Sequence, residues 1–251
     1  MSVVMAAIDN SAAAKPVLVT ASAIGRLLDV TVVALHAREN GGATARAAAD
    51  AAHVELEMAC PPVATALAAA ARRPDVTALV VGARGTPGGR RPAGHTALAL
   101  ATSLDKPLVV VPPLARLADR IRRILVPLDG TPASAAALSG TVRLACRGAV
   151  EVVLLHVHGE ETLPAFEEQS EHELDAWSAE FLARSCADAT GNIRVEVRAG
   201  VPGRRVVEAA GELAPDLIAL GWSRNLAEGH GAVVREVLAT SSVPVLLLPM
   251  P

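Results

Sequence analysis

Tyrosine is absent from this chain, and phenylalanine and tryptophan occur only twice each. A core without large aromatic rings must be filled by Val, Leu, Ile and Ala, and 51% of the 251 residues are apolar. That palette belongs to buried parallel strands with Ala-rich helices packed on both faces. Lysine is nearly missing as well, with Lys15 and Lys106 alone. No Gly-x4-Gly-Lys-Ser/Thr phosphate loop is therefore available. No Gly-x-Gly-x-x-Gly follows the first strand-like run, and no Gly-x-Ser-x-Gly elbow occurs. No base is paired with a nucleophile in any of these patterns. The expectation is a protein that is not an enzyme, in which any nucleotide hydrolysis is slow and incidental.

The three cysteines, Cys60, Cys146 and Cys186, are odd in number and form no Cys-x-x-Cys. They read as buried small hydrophobes in a reducing cytoplasm. No apolar run reaches the roughly 18 residues of a membrane span. The first residues, Met1 to Ser11, carry no basic segment and meet an acid at Asp9, unlike a signal peptide. Cytoplasmic residence is expected, with no membrane partner. A net charge of -3 is too balanced for a nucleic-acid-binding surface, so no nucleic-acid partner is expected. His172 has helical metal-ligand spacing to Glu168 or to Asp175 but no third ligand, so no metal site is expected.

Against these absences stands an internal repeat. The apolar run Val3–Ile8 ends in Asp9-Asn10-Ser11, and Ile124–Leu128 ends in Asp129-Gly130-Thr131-Pro132. Ala-rich helical stretches follow, Ala12–Leu28 and Pro132–Cys146. The β-branched runs Thr31–His36 and Glu151–His156 come next, and an offset of 120 residues relates both Asp9 to Asp129 and His36 to His156. Val54–Met58 answers to Ile193–Val197, Val76–Val81 with Gly82 to Leu217–Leu220 with Gly221, and Leu108–Val111 to Val245–Leu248. Each half thus alternates short buried strands with helices, which predicts α/β architecture: two tandem doubly wound parallel-sheet domains related by a pseudo-two-fold axis. The predicted domains are residues 1–115 and 121–251, joined by a linker through Arg120.

The halves differ in charge and length. Residues 1–120 carry 12 basic and 9 acidic side chains, hence +3, and residues 121–251 carry 11 and 17, hence -6. The second half has an insertion, Glu160–Asp188, in which Leu174, Trp177 and Phe181 recur at helical spacing among acids. That pattern predicts an acidic amphipathic helix. The equivalent stretch of the first half, Gly41–Ala52, is short and Ala-rich, which predicts a reduced or poorly anchored second helix.

A doubly wound sheet binds ligands beyond the carboxyl ends of its strands, where strand order reverses. The repeat puts Asp9, Ala37, Val81 and Gly82 there in the first half, and Asp129, Val157 and Gly221 in the second. Asp9 and Asp129 read equally as turn or N-cap residues and as ligand contacts. His36 and His156, ending buried strands, read as structural histidines.

The segment Asp129-Gly130-Thr131-Pro132-Ala133-Ser134-Ala135-Ala136-Ala137-Leu138, the strand ending Leu155-His156-Val157 and the closing Pro244–Pro249 strand resemble the universal stress protein family. The first half repeats them in weaker form. The resemblance implies a stress-response regulatory role with ATP or a related adenine nucleotide as ligand, Mg as its companion ion, and a carboxylate facing the nucleoside. Nucleotide-binding members of that family carry Gly-x2-Gly-x9-Gly-Ser/Thr after the fourth strand. Glycines let backbone N–H groups approach phosphate, with the next helix N-terminus behind them. The first half keeps Gly82, Gly85 and Gly94 with eight residues between the last two, and His95-Thr96 follow in place of the hydroxyl residue. Arg84, Arg90 and Arg91 add positive charge to this loop. In the second half Arg224 stands at the second glycine, Gly231 is followed by Ala232, and only nine residues separate Gly221 from Gly231. Nucleotide is therefore expected in the first half, with weak or absent binding in the second, where Gly231→Val is expected to change little. The alternative is a nucleotide-free dimerising scaffold with both sites decayed. The resemblance also implies antiparallel pairing of the final strands, within the chain, with a homodimer of whole chains as a further partner state.

Overall fold

The computed structural model describes residues 1–37, 41–83, 93–129, 131–147, 150–158, 176, 192–227 and 230–250. The first half runs β1 (Val3–Ala7), α1 (Ala14–Leu28), β2 (Thr31–Ala37), α2 (Ala43–Ala51), β3 (Glu55–Ala59), α3 (Val63–Ala71), β4 (Val76–Gly82), α4 (His95–Ser103) and β5 (Leu108–Val111). The second runs β6 (Arg123–Leu128), α5 (Pro132–Arg147), β7 (Glu151–His158), β8 (Ile193–Ala199), α6 (Pro202–Leu213), β9 (Leu217–Trp222), α7 (Ala232–Thr240) and β10 (Val245–Pro249). The acidic insertion with Leu174, Trp177 and Phe181 lies outside the described residues.

The strands form one ten-stranded sheet in the order β3-β2-β1-β4-β5-β10-β9-β6-β7-β8. Each half therefore repeats the doubly wound order 3-2-1-4-5 with parallel neighbours. The exception is the central seam, where β5 and β10 run antiparallel with Val110 opposite Val245 and Leu108 opposite Leu247. Strand residues alternate between faces at period two. Val3 and Met5 of β1 and Leu125 of β6 face α3, α4, α6 and α7, while Val4, Ile124 and Val126 face α1, α2 and α5. The hydrophobic cores are thus the two faces of the sheet, and each draws on both halves.

Local sequence explains the helices. In α1, Ala14, Val17, Leu18, Ala21 and Ile24 are buried at three- and four-residue spacing, a single apolar stripe on the sheet. The helix ends at Asp29, which adopts a left-handed conformation (φ 55°) and donates its N–H to the Gly25 carbonyl. Pro132 and Pro202 open α5 and α6, where the missing N–H is not needed. The expectation of a poorly anchored second helix is corrected. α2 is short, but Ala45 and Ala49 are both fully buried, one turn apart. A methyl group suffices there because the helix lies close against α1, and the Ala45 N–H also donates to Asn10 Oδ1 at 3.1 Å.

Candidate functional site

At the point where β1 is flanked by β2 and β4, a cavity of about 500 Å³ opens at the carboxyl edge of the first half. Its lining includes Asp9, His36, Ala37, Val81, Gly82 and Thr96, and with Val63 and Leu67 the chain reaches it from five separate segments. Val17, Leu35, Val63 and Leu67 supply apolar walls. α3 brings Val63 and Leu67 in together because they are four residues apart on one helix face. Nothing in the local sequence of α3 marks those two residues for this cavity; only its packing position does.

The floor of the site is built by backbone contacts. The His36 ring donates from Nδ1 to the Ile8 carbonyl at 2.9 Å and so ties the end of β2 to the end of β1. His36 is buried, and among the described residues its Nε2 has no hydrogen-bond partner. The structural reading of this histidine accounts for one nitrogen and not for the other. Asp9 itself is exposed. Its Oδ1 accepts from the Ser11 N–H at 2.9 Å and from the Ser11 hydroxyl at 2.6 Å. This is a side-chain turn, not a helix cap: α1 starts after Ala13 with no capping side chain. The turn holds the carboxylate at the mouth of the cavity.

On the opposite wall, the Gly94 N–H donates to the Ala83 carbonyl at 2.6 Å, which brings the start of α4 back to the end of β4. Gly94 is the N-cap of α4, His95 its exposed first residue, and Thr96 faces the cavity. The first-turn N–H groups of α4 are thus carried to the site, an arrangement that favours an anion. Gly85, Arg84, Arg90 and Arg91 lie outside the described residues.

The second half repeats the turn. Asp129 Oδ1 accepts from the Thr131 N–H at 2.9 Å and the Thr131 hydroxyl at 2.7 Å, and His156 Nδ1 pairs with the Leu128 carbonyl at 3.2 Å. Val157 is a half-buried residue of β7. Beyond these the halves diverge. A Cβ on Gly221 would lie 3.2 Å from Met250 Sδ and 3.5 Å from Ser134 Cα, so the chain closes over that glycine. Gly231, the N-cap of α7, has φ 62°, and Arg224 adopts φ 61° where the first half has Gly85. Among the described residues, no group of three or more His, Cys, Asp or Glu is placed to hold a metal ion.

A profile of the universal stress protein family matches residues 120–249, more than half of the chain. The chain belongs to the universal stress protein family. A universal stress protein from Archaeoglobus fulgidus matches over 98% of both chains at 15% identity, with a TM-score of 0.66. A functionally unknown protein from Pseudomonas aeruginosa matches 100% of this chain and 93% of its own at 13% identity, with a TM-score of 0.72. At these identities the likeness is one of fold. No curated protein matches the sequence. Among the described residues of this universal stress protein, no helix is long and apolar enough to cross a membrane.

Proposed function

We propose that this universal stress protein is a nucleotide-responsive regulatory protein of the cytoplasm. ATP or a related adenine nucleotide occupies the first half, and the second half is degenerate. The observation that carries this reading is the cavity at the first half's switch point, which gathers a carboxylate, apolar walls, a strand-ending glycine and a helix N-terminus in one place. Each part matches a part of the ligand. The apolar walls of Leu35, Val63, Leu67 and Val81 accept a flat base. Asp9 accepts hydroxyl or amine protons of the nucleoside, while the first-turn N–H groups of α4 and the Thr96 hydroxyl are the donors for phosphate, which the bare backbone of Gly82 and Gly94 lets approach. A magnesium ion accompanying the phosphates would be held by the nucleotide and water more than by protein ligands.

The nucleotide reading is tested by isothermal titration calorimetry with ATP. The expected result is one site per chain, abolished by Gly94→Val, which puts a branched side chain at the phosphate approach. Asp9→Asn keeps the acceptor for the Ser11 turn and removes the charge. It is expected to weaken binding about tenfold while leaving the unfolding midpoint within about 0.5 kcal/mol. Two equal sites per chain would refute the asymmetry. Absence of binding would favour the second reading, a nucleotide-free scaffold, to which the covered Gly221 and the altered loop of the second half already conform.

A further inference from the structure

Trp222 ends β9 in the second half, yet its polar atom serves the first. It is 2% exposed, and its indole Nε1–H donates to the Ala101 carbonyl at 2.7 Å. Ala101 lies in the last turn of α4, where the final four carbonyls of a helix have no partner within the helix. One of them, that of Leu100, accepts from the Leu104 N–H at 3.0 Å. Ala101 is itself buried, so without the indole its carbonyl would be left unsatisfied away from water. Trp222 therefore closes the carboxyl end of α4 from across the seam.

The other side of the ring rests on the second half's own loop. A Cβ on Gly231 would lie 2.9 Å from Trp222 Cζ3 and 3.1 Å from Cη2, so the six-membered ring touches the N-cap of α7. One rigid side chain thus spans from the end of α4 to the beginning of α7. α4 itself is short, with nine residues and a length of about 13 Å. Its first turn lies at the cavity, tied by Gly94 to Ala83, and its last turn is held by Trp222. A short helix pinned at both ends transmits a displacement of one end to the other.

We infer that Trp222 is a positioning residue for the nucleotide site of the opposite half, holding α4 so that its N-terminus meets the phosphates and carrying occupancy of that site to α7. The inference rests on the nucleotide reading above. By linkage, whatever ordering of α4 favours nucleotide is returned to Trp222 and its contact with Gly231 when nucleotide binds. The second half, lacking the glycine loop, then acts as the sensor of the first.

The test uses the full-length chain carrying Trp177→Phe, which leaves Trp222 as its single tryptophan. Saturating ATP is expected to shift or quench Trp222 emission with the midpoint found by calorimetry, and to slow hydrogen exchange along α4. Replacing Trp222 by Phe keeps a ring but removes the N–H donor. It is expected to weaken ATP binding about tenfold and to speed exchange in the last turn of α4 in the ligand-free chain. ATP binding without any change in Trp222 emission or α4 exchange would overturn the inference, and so would wild-type affinity in the Phe variant. If that variant fails to fold, the emission and exchange measurements on the Trp222 chain decide alone. Failure of the unmodified chain to bind ATP overturns the nucleotide reading and this inference together, an outcome distinct from the others.

Discussion

Gly231 shows how a residue changes meaning between sequence and structure. In the sequence it is the remnant of a phosphate loop, and replacing it looks harmless. In the fold it has φ 62° and lies where a Cβ would fall 3.0 Å from the Asn225 carbonyl oxygen as well as against the Trp222 ring. Both the left-handed backbone and the contact exclude a branched side chain. Gly231→Val is accordingly expected to destabilise the protein by about 2 kcal/mol or more, seen as a lower urea midpoint; an unchanged midpoint would contradict the packing of Trp222. Arg224 is the converse case. It adopts a left-handed conformation (φ 61°) at a cost of about 1 kcal/mol, with a side chain that prefers other regions.

Among the elements, β5 and β10 carry the greatest consequence. Val110 is paired with Val245 on one side and Val81 on the other, and all three are buried. Proline at this position removes a ladder donor and forces its ring against a neighbouring strand. Val110→Pro is expected to destabilise the chain by on the order of 3 kcal/mol and to speed proteolysis in the linker Leu114–Arg120. Unaltered protease resistance would show that the seam holds the halves less firmly than its burial implies. The outer edges are protected differently. β3 and β8 end the sheet and carry charges, Glu55 and Glu57 on one and Arg194, Glu196 and Arg198 on the other, which discourage pairing with another chain. Arg73 bridges Glu57 at 2.7 Å and Asp75 at 2.7 Å beside the start of β4. The Arg73 hydrogen bonds hold the Asp75 carboxyl below its ordinary range. A carboxylate with a depressed folded pKa stabilises above the unfolded value, near pH 4, and that contribution is lost as pH falls through the folded one. The difference in melting temperature between wild type and Asp75→Asn is therefore expected to be full at neutral pH and to shrink below about pH 4.

In the whole molecule, the cores do not follow the repeat. The apolar layer over α3, α4, α6 and α7 contains Met5 and Leu79 of the first half together with Ile218 and Leu247 of the second, and the opposite layer is shared in the same way. A sheet continuous across the seam with cores continuous on both faces favours one cooperative unit. Thermal and urea unfolding are expected to follow a single transition by circular dichroism and, in the Trp177→Phe chain, by Trp222 emission alike. Two separated transitions would mean that the halves are independent domains joined by an edge.

The alternation of strand and helix, the identity of most strands to within one or two residues, and the turn residues Asp9 and Asp129 were legible in the sequence. They depend on periodicity and on local chemistry, which neighbours along the chain decide. The 120-residue offset made the doubly wound pattern visible twice. Tertiary structure alone decided which segments share a cavity, because Val63, Leu67 and Thr96 meet Asp9 only after crossovers of many residues have packed on the sheet. It alone revealed that α2 is anchored by two alanines and that Trp222 bonds to a carbonyl 121 residues away. Contacts of that kind leave no period and no local signature: they arise from which faces are buried against each other, a property of the whole chain's packing.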